Sequence, residues 1–71
     1  SLVQVGSTVG VASEHGEETF TIVGSEEADP KAGKISNESP LGKTFLGRKV
    51  GEKVEVKTPG GMFYYSILEI G

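Results

Sequence analysis

The chain contains no cysteine and no tryptophan, and only one histidine and one methionine. The absence of cysteine excludes a disulfide scaffold and thiol chemistry. With a single histidine, His15, the usual zinc-binding patterns are excluded as well. We therefore expect no metal site and no cofactor.

Long hydrophobic runs are also missing. No stretch approaches the length needed to span a membrane, and no basic-then-apolar leader opens the sequence. We therefore expect a soluble, cytoplasmic protein with no membrane partner. With 71 residues, of which 35% are hydrophobic, the chain suffices for one small domain, residues 1–71, with a thin core and marginal stability.

Basic residues are absent from the first part of the chain. Residues 1–30 carry six acids and no Lys or Arg, whereas residues 31–71 carry seven bases and four acids. This asymmetry predicts two surfaces of opposite sign. Because the net charge is −3, we expect no direct, sequence-specific binding of nucleic acid.

The clearest local signal is a short capped helix. Ser39 can accept a hydrogen bond from a first helical turn, and Pro40 suits the first helical position. Leu41 and Phe45 give the helix an apolar stripe, and Gly47 can adopt the left-handed conformation that ends it. Two turns are too short to be stable alone, so this helix must pack on a sheet.

Alternating apolar residues predict two β-hairpins. The first pairs Thr8–Ala12 with Glu18–Val23, and the second pairs Lys53–Lys57 with Met62–Ile70. Between the first hairpin and the helix, Gly24–Gly33 has no apolar periodicity and is predicted to be a long connection.

Three finer features accompany the hairpins. Thr58–Gly61 has the signature of a type II turn, with Gly60 at the position that needs a positive φ. Adjacent apolar residues Ile67 and Leu68 predict a bulge that turns Leu68 and Ile70 inward. The apolar stretch 3–6 is left unassigned or read as a brief strand.

An extended segment that begins at Lys34 precedes the helix and is the third strand. Five strands, mostly antiparallel, with one short helix between the third and the fourth define an α+β domain. The helix is expected to cover the concave face of a twisted sheet. The predicted core consists of Val9, Val11, Phe20, Ile22, Ile35, Leu41, Phe45, Leu46, Val54, Val56, Phe63, Tyr65, Ile67 and Ile70.

Candidate chemical sites carry little signal. The Gly42-Lys43-Thr44 triplet lacks the preceding glycine of a phosphate-binding loop and falls inside the helix. The acids of 26–29 lack the spacing of a calcium loop, and a solvated acidic loop is the better interpretation. His15 stands in a turn without a catalytic constellation. Tyr64 and Tyr65 lack the basic surroundings of a single-strand binder. We therefore predict no catalytic residues and no enzyme activity.

Several motifs of this chain match those of a known family in their order and spacing. The pieces are Ile22-Val23-Gly24, Glu27-Ala28-Asp29, Ile35-Ser36-Asn37-Glu38-Ser39-Pro40, Leu46-Gly47-Arg48, Val50-Gly51-Glu52 and Thr58-Pro59-Gly60-Gly61. Together they closely resemble the C-terminal domain of the Gre transcript cleavage factors, GreA and GreB, which has an FKBP-like fold. Gly42 and Thr44 replace alanines usual in that helix, and Arg48 replaces a Lys, which should soften the helix.

The resemblance implies an accessory to bacterial RNA polymerase. In Gre factors an N-terminal coiled coil enters the secondary channel and brings acidic residues to the active-site magnesium, where cleavage of backtracked RNA is stimulated. No heptad pattern occurs in this chain, so the expectation is a docking domain without that coiled coil. The family's C-terminal domain grips a coiled-coil tip of the polymerase's largest subunit through the loop leading into the helix.

Carried over by position, this docking role falls on Glu38, Ser39 and Pro40, with Asn37 and Ile35 as weaker neighbours. A purely structural interpretation is also adequate, since Ser39 and Pro40 start the helix and Glu38 complements its dipole.

Two other functions remain open. One is a Gre-related regulator that inhibits or competes with cleavage factors. The other is an FKBP-like prolyl isomerase, for which the few aromatic residues leave little to line a pocket.

Overall fold

The computed structural model describes all 71 residues as a five-stranded sheet with one short α-helix. The strands lie side by side in the order β3-β2-β1-β5-β4. In chain order the elements are β1 (Thr8–Ser13), β2 (Gly16–Val23), β3 (Lys34–Ser36), α1 (Pro40–Phe45), β4 (Lys53–Thr58) and β5 (Gly61–Ile70). The predicted α+β class and both hairpins are confirmed.

One strand pair departs from the antiparallel pattern. The β1–β2, β1–β5 and β4–β5 pairs are antiparallel, whereas β2 and β3 are parallel. Parallel neighbours need a crossover, and Gly24–Gly33 supplies it. This connection contains regular structure that its sequence does not indicate, namely two single-turn 3₁₀ helices, Ser25–Glu27 and Pro30–Ala32.

The helix lies against both edges of the sheet. It contacts β4 and, less extensively, β3, and these are the two edge strands. Since six helical residues reach both edges, the sheet must curl around the helix, which agrees with the predicted cover of a concave face. No helix of the protein has the length and apolar character needed to cross a membrane.

The start and the end of the helix follow the predicted signals. The Ser39 side chain accepts a hydrogen bond from the Gly42 N–H at 3.1 Å, and Pro40 is the first helical residue. Gly47 has a φ of 81°, which is the left-handed conformation expected after the last turn. The Phe45 side chain is completely buried, so it anchors the helix to the sheet.

An aromatic cluster fills the space between helix and sheet. The ring centroids of Phe20 and Phe45 are 5.9 Å apart, and Tyr65 packs edge-on against Phe45 at 5.6 Å. Around it, the predicted core residues Val9, Val11, Ile22, Ile35, Val54 and Ile67 are buried, and Leu41, Leu46 and Ile70 are half-buried. The predicted core residue Val56 is also buried but does not belong to this cluster. Phe63 is half-buried but lies outside this cluster.

Two buried apolar side chains were not predicted, those of Val3 and Val23. Val3 belongs to no strand, yet its N–H donates to the Arg48 carbonyl and its carbonyl accepts from the Gly47 N–H, both at 2.9 Å. These two hydrogen bonds fix the first residues beside the end of the helix. The Val3 side chain therefore enters the core from a segment that has no periodic pattern.

The β-bulge lies where the sequence predicts it, but the side chain of the bulged residue does not face the predicted side. Gly10 pairs with Glu69 and Val11 with Ile67, so Leu68 is the extra residue. Its side chain is 43% exposed, and the prediction that Leu68 turns inward is therefore wrong. A bulged residue is released from the strict alternation of the strand, which is why its apolar character does not determine the side it faces.

Two glycines behave differently from the prediction. In the Thr58–Gly61 turn the positive φ, 128°, belongs to Gly61 and not to Gly60, so the turn is not type II. In the helix, a Cβ on Gly42 would stand 2.0 Å from the Ser36 carbonyl oxygen. Gly42 therefore permits a close approach of loop and helix, in addition to any softening of the helix.

Candidate functional site

The loop from β3 into α1, residues Ser36–Pro40, is fixed by its own hydrogen bonds. We call it the helix-start loop. The Asn37 N–H donates to the Val23 carbonyl at 2.8 Å, which ties the loop to the end of β2. The Ser39 N–H donates to the Ser36 carbonyl at 3.1 Å, and a tight backbone turn results.

Ser39 is the central support of this loop. Its hydroxyl donates to the Ser36 carbonyl at 2.7 Å and accepts from the Gly42 N–H at 3.1 Å. One side chain thus joins the loop to the first turn of the helix. Ser39 is half-buried and Pro40 is exposed, so the serine supports the loop from within and the proline is accessible to solvent.

Glu38 is the exposed acid of the loop. Its N–H donates to the Ser36 hydroxyl at 3.0 Å, and its carboxylate accepts a hydrogen bond from the Ser25 hydroxyl. The Ser25 and Ser36 hydroxyls are themselves 2.8 Å apart. The side chain of Glu38 is therefore directed toward the 3₁₀ turn at the start of the connection.

The five residues singled out from the sequence thus differ in accessibility. Glu38 and Pro40 are exposed, Asn37 and Ser39 are half-buried, and Ile35 is only 9% exposed. The structure brings the first four together in one turn. Ile35 lies in the core.

The acidic connection lies next to the helix-start loop. Glu26 and Glu27 border a shallow, open depression together with Glu38, Ser25 and the half-exposed Val5. The connection and the loop are separate in the sequence, and the structure makes them neighbours. No group of three acids or histidines is arranged to hold a metal ion. Sequence reasoning missed Ser25 and Val5, which carry no motif of their own.

The remaining sequence candidates have ordinary surroundings. Lys43 is exposed on the helix, and the Thr44 hydroxyl donates to the Pro40 carbonyl at 2.7 Å. His15 is 73% exposed and lies 3.6 Å from the Glu14 carboxylate. Burial, with a further contribution from the negative charge of Glu18, raises the pKa of the Tyr65 hydroxyl.

The most enclosed pocket lies between the turn of the first hairpin and the start of β5. Its volume is about 70 Å³, whereas sites for small organic ligands usually measure roughly 300–1,000 Å³. Met62 and Tyr64 line it, together with Phe63 and Tyr65. This pocket is too small to enclose a peptidyl-proline, which disfavours the prolyl isomerase alternative.

Comparison with known proteins gives a consistent result across the whole chain. The family model for the C-terminal part of transcription elongation factor GreA/GreB matches residues 1–71. The transcription elongation factor GreA of Thermomicrobium roseum is 50% identical over 70 residues, which cover 99% of this chain and 45% of that protein. GreA of Geobacillus kaustophilus is 59% identical over 54 residues, covering 76% of this chain and 34% of that protein. The chain therefore spans less than half the length of these relatives.

Solved structures share the fold. GreA factor homolog 1 (Gfh1) of Thermus thermophilus superposes with a TM-score of 0.87 at 28% identity, covering the entire chain and 49% of that structure. GreA/GreB of Nitrosomonas europaea superposes with a TM-score of 0.80 at 32% identity, covering 99% of this chain and 60% of that one. The sequence motifs, the curled five-stranded sheet and these matches agree, and the chain belongs to the GreA/GreB family of transcription elongation factors.

Proposed function

We propose that this chain is the C-terminal domain of a Gre-type transcription elongation factor and docks on bacterial RNA polymerase near the secondary channel. The docking surface is the helix-start loop, with Glu38 and Pro40 exposed on it and Ser39 and Asn37 holding it in shape. Its partner is the coiled-coil tip of the polymerase's largest subunit. The observation that carries this proposal is the loop itself, which offers an exposed acid and an exposed proline on a backbone fixed by hydrogen bonds.

In this proposal the chain supplies attachment and not chemistry. In the intact factor, a coiled coil outside these 71 residues would carry the carboxylates that stimulate cleavage of backtracked RNA, and the polymerase would perform the cleavage. The domain then acts as a tether. It should bind modestly alone and more tightly within the intact factor, because binding of the coiled coil raises the effective concentration of the domain.

A second candidate is a Gre-related regulator that binds polymerase and competes with cleavage factors. The superposition on Gfh1, which is named a GreA factor homolog, favours it at the level of fold. The sequence identities favour a GreA-type factor, since GreA proteins reach 50–59% whereas Gfh1 proteins reach 28–30%. A cleavage assay on stalled elongation complexes with the full-length factor separates the two, because a competitor slows cleavage and a GreA-type factor accelerates it.

The docking surface is tested by titrating the labelled 71-residue protein with bacterial RNA polymerase core enzyme. Glu38→Lys reverses the exposed charge and Pro40→Ala removes the exposed ring, and each should weaken binding by about tenfold or more, as expected for central contacts of an interface. Glu55→Lys, on an exposed position of β4, is the matched charge-reversal control and should bind like the parent.

Circular dichroism should show the parental fold for all three variants. If Glu38→Lys and Pro40→Ala bind normally while Glu26→Lys and Glu27→Lys abolish binding, the docking surface belongs to the acidic connection and not to the helix-start loop.

A further inference from the structure

Four hydrogen-bonding groups around Glu38 form a closed ring. A carboxylate can only accept, so the Ser25 hydroxyl must donate its single proton to Glu38. The Ser36 hydroxyl must then donate to Ser25, at 2.8 Å, while accepting from the Glu38 N–H at 3.0 Å. The ring thus runs from the Glu38 backbone through two serine hydroxyls to the Glu38 carboxylate, and each hydroxyl donates once.

We infer that Ser25 and Ser36 are positioning residues that hold the Glu38 carboxylate ready for a cationic side chain of the polymerase. This inference rests on the proposed function and extends it from the helix-start loop to the connection. It assigns a role to Ser25, which lies 13 positions before Glu38 and outside the motif that names the loop.

We infer a cationic partner group because one negatively charged carboxylate oxygen of Glu38 has no partner within the ring. Ser25 occupies one carboxylate oxygen of Glu38, and the two ion pairs of the protein, His15 with Glu14 and Arg48 with Glu52, do not involve Glu38. The second oxygen can therefore accept from an arginine or lysine of the partner. Glu26 and Glu27, which border the same depression, increase the negative potential that attracts such a group.

The benefit of the ring is conformational. A free, exposed glutamate samples many rotamers and loses this freedom when it binds, which weakens the complex. In this protein the side chain is already held before the partner arrives. Ser25→Ala removes the hydroxyl that holds the carboxylate and leaves the charge and the backbone in place. We therefore expect it to weaken polymerase binding by about three- to tenfold, the range for one immobilised side chain.

A double-mutant cycle with polymerase core enzyme tests this role. We compare Ser25→Ala in the parent protein and in a Glu38→Gln background, and we use Ser66→Ala on β5 as the control for loss of a serine hydroxyl. If Ser25 acts through the Glu38 charge, its effect should shrink to within about twofold when that charge is absent. Ser25→Thr restores a hydroxyl at an exposed position and should restore binding.

Three other outcomes would contradict either the positioning role of Ser25 or the proposed docking surface. If Ser25→Ala binds like the parent, or weakens binding equally in both backgrounds, Ser25 does not position Glu38 and this inference is wrong. If Ser25→Ala instead lowers the urea midpoint and Ser25→Thr fails to rescue binding, the hydroxyl has only a structural role. If Glu38→Gln, Glu38→Lys and Pro40→Ala all bind normally, the proposed docking surface fails as well, independently of Ser25.

Discussion

Two parts of the protein are held together by different interactions. One is the core between the helix and strands β1, β2, β4 and β5, and the other is the segment of residues 24–40, which contains β3 and leads into the helix. In the sheet, valines, isoleucines and three aromatic rings fill the space beneath the helix. In residues 24–40 the only buried side chain is Ile35, and serine hydroxyls and backbone groups make most of the contacts. Apolar packing therefore provides most of the stability, and hydrogen bonds shape the proposed docking surface.

This division implies that stability and docking can be altered separately. Burial of apolar surface is non-directional and contributes most of the free energy of folding. Hydrogen bonds between exposed groups contribute little to the free energy of unfolding, but they fix geometry. Substitutions in the core should consequently lower stability, and substitutions in the helix-start loop should mainly affect binding. Four predictions test this division.

The largest effect is expected for Phe45→Ala. Phe45 is fully buried and packs on Phe20 and Tyr65, and truncation of a buried aromatic residue costs about 3–5 kcal/mol. A domain of this size has a total stability of roughly 4–11 kcal/mol, so much of the margin is lost. Urea denaturation followed by circular dichroism measures the change. Tyr64→Ala, at an exposed position, is the control, and coincident midpoints for Phe45→Ala and the parent would refute the anchoring role.

Gly42→Ala tests a close backbone contact between the two regions, that of the helix with the Ser36 carbonyl. The new methyl group would overlap the Ser36 carbonyl oxygen, and relief of such overlap costs about 1–3 kcal/mol. Ordinarily Ala stabilises a helix relative to Gly by about 1 kcal/mol, so the sign of the change is diagnostic. Thr44→Ala, in the same helix, should stay within about 0.5 kcal/mol of the parent. A more stable Gly42→Ala protein would show that the loop can move away from the helix freely.

The sequence allowed the regular elements to be predicted because their signals are local. Ser39 and Pro40 define the helix start, and alternation defines the strands of both hairpins. Val3 was missed because its burial depends on hydrogen bonds to residues 47 and 48, far along the chain. The contact of Ser25 with Glu38 and the contact of Gly42 with Ser36 were missed for the same reason. Each depends on how the crossover places two separate segments, and polar residues carry no periodicity that would report it.

Ser39→Ala should show a smaller effect that spans both regions. Loss of an N-cap hydroxyl costs about 1 kcal/mol, and here the hydroxyl also donates to the Ser36 carbonyl. We therefore expect a modest fall in the urea midpoint together with weaker polymerase binding. Ser39→Asp, which keeps an N-cap acceptor but cannot donate to Ser36, separates the two contributions. If Ser39→Ala lowers stability and binding stays at the parental level, the loop does not need this support.

The smallest effect concerns the titration of Tyr65, which lies at the margin of the aromatic cluster. Burial, and then the negative charge of Glu18, raises the pKa of its hydroxyl above the ordinary tyrosine value of about 10. The folded protein thus holds this proton more tightly than the unfolded chain does. The stability that results from this shift is complete below the ordinary pKa and is lost as the pH rises through the raised pKa.

Tyr65→Phe should therefore show a shallower alkaline decline of the urea midpoint than the parent. At neutral pH it should remain within about 0.5 kcal/mol, because the ring packing is kept. Lysine titration is common to both proteins and cancels in the difference, and Tyr64→Phe, at an exposed position, is the control. Parallel declines for Tyr65→Phe and the parent would show that the hydroxyl is as well solvated in the folded protein as in the unfolded chain, so that the apolar region ends before Tyr65.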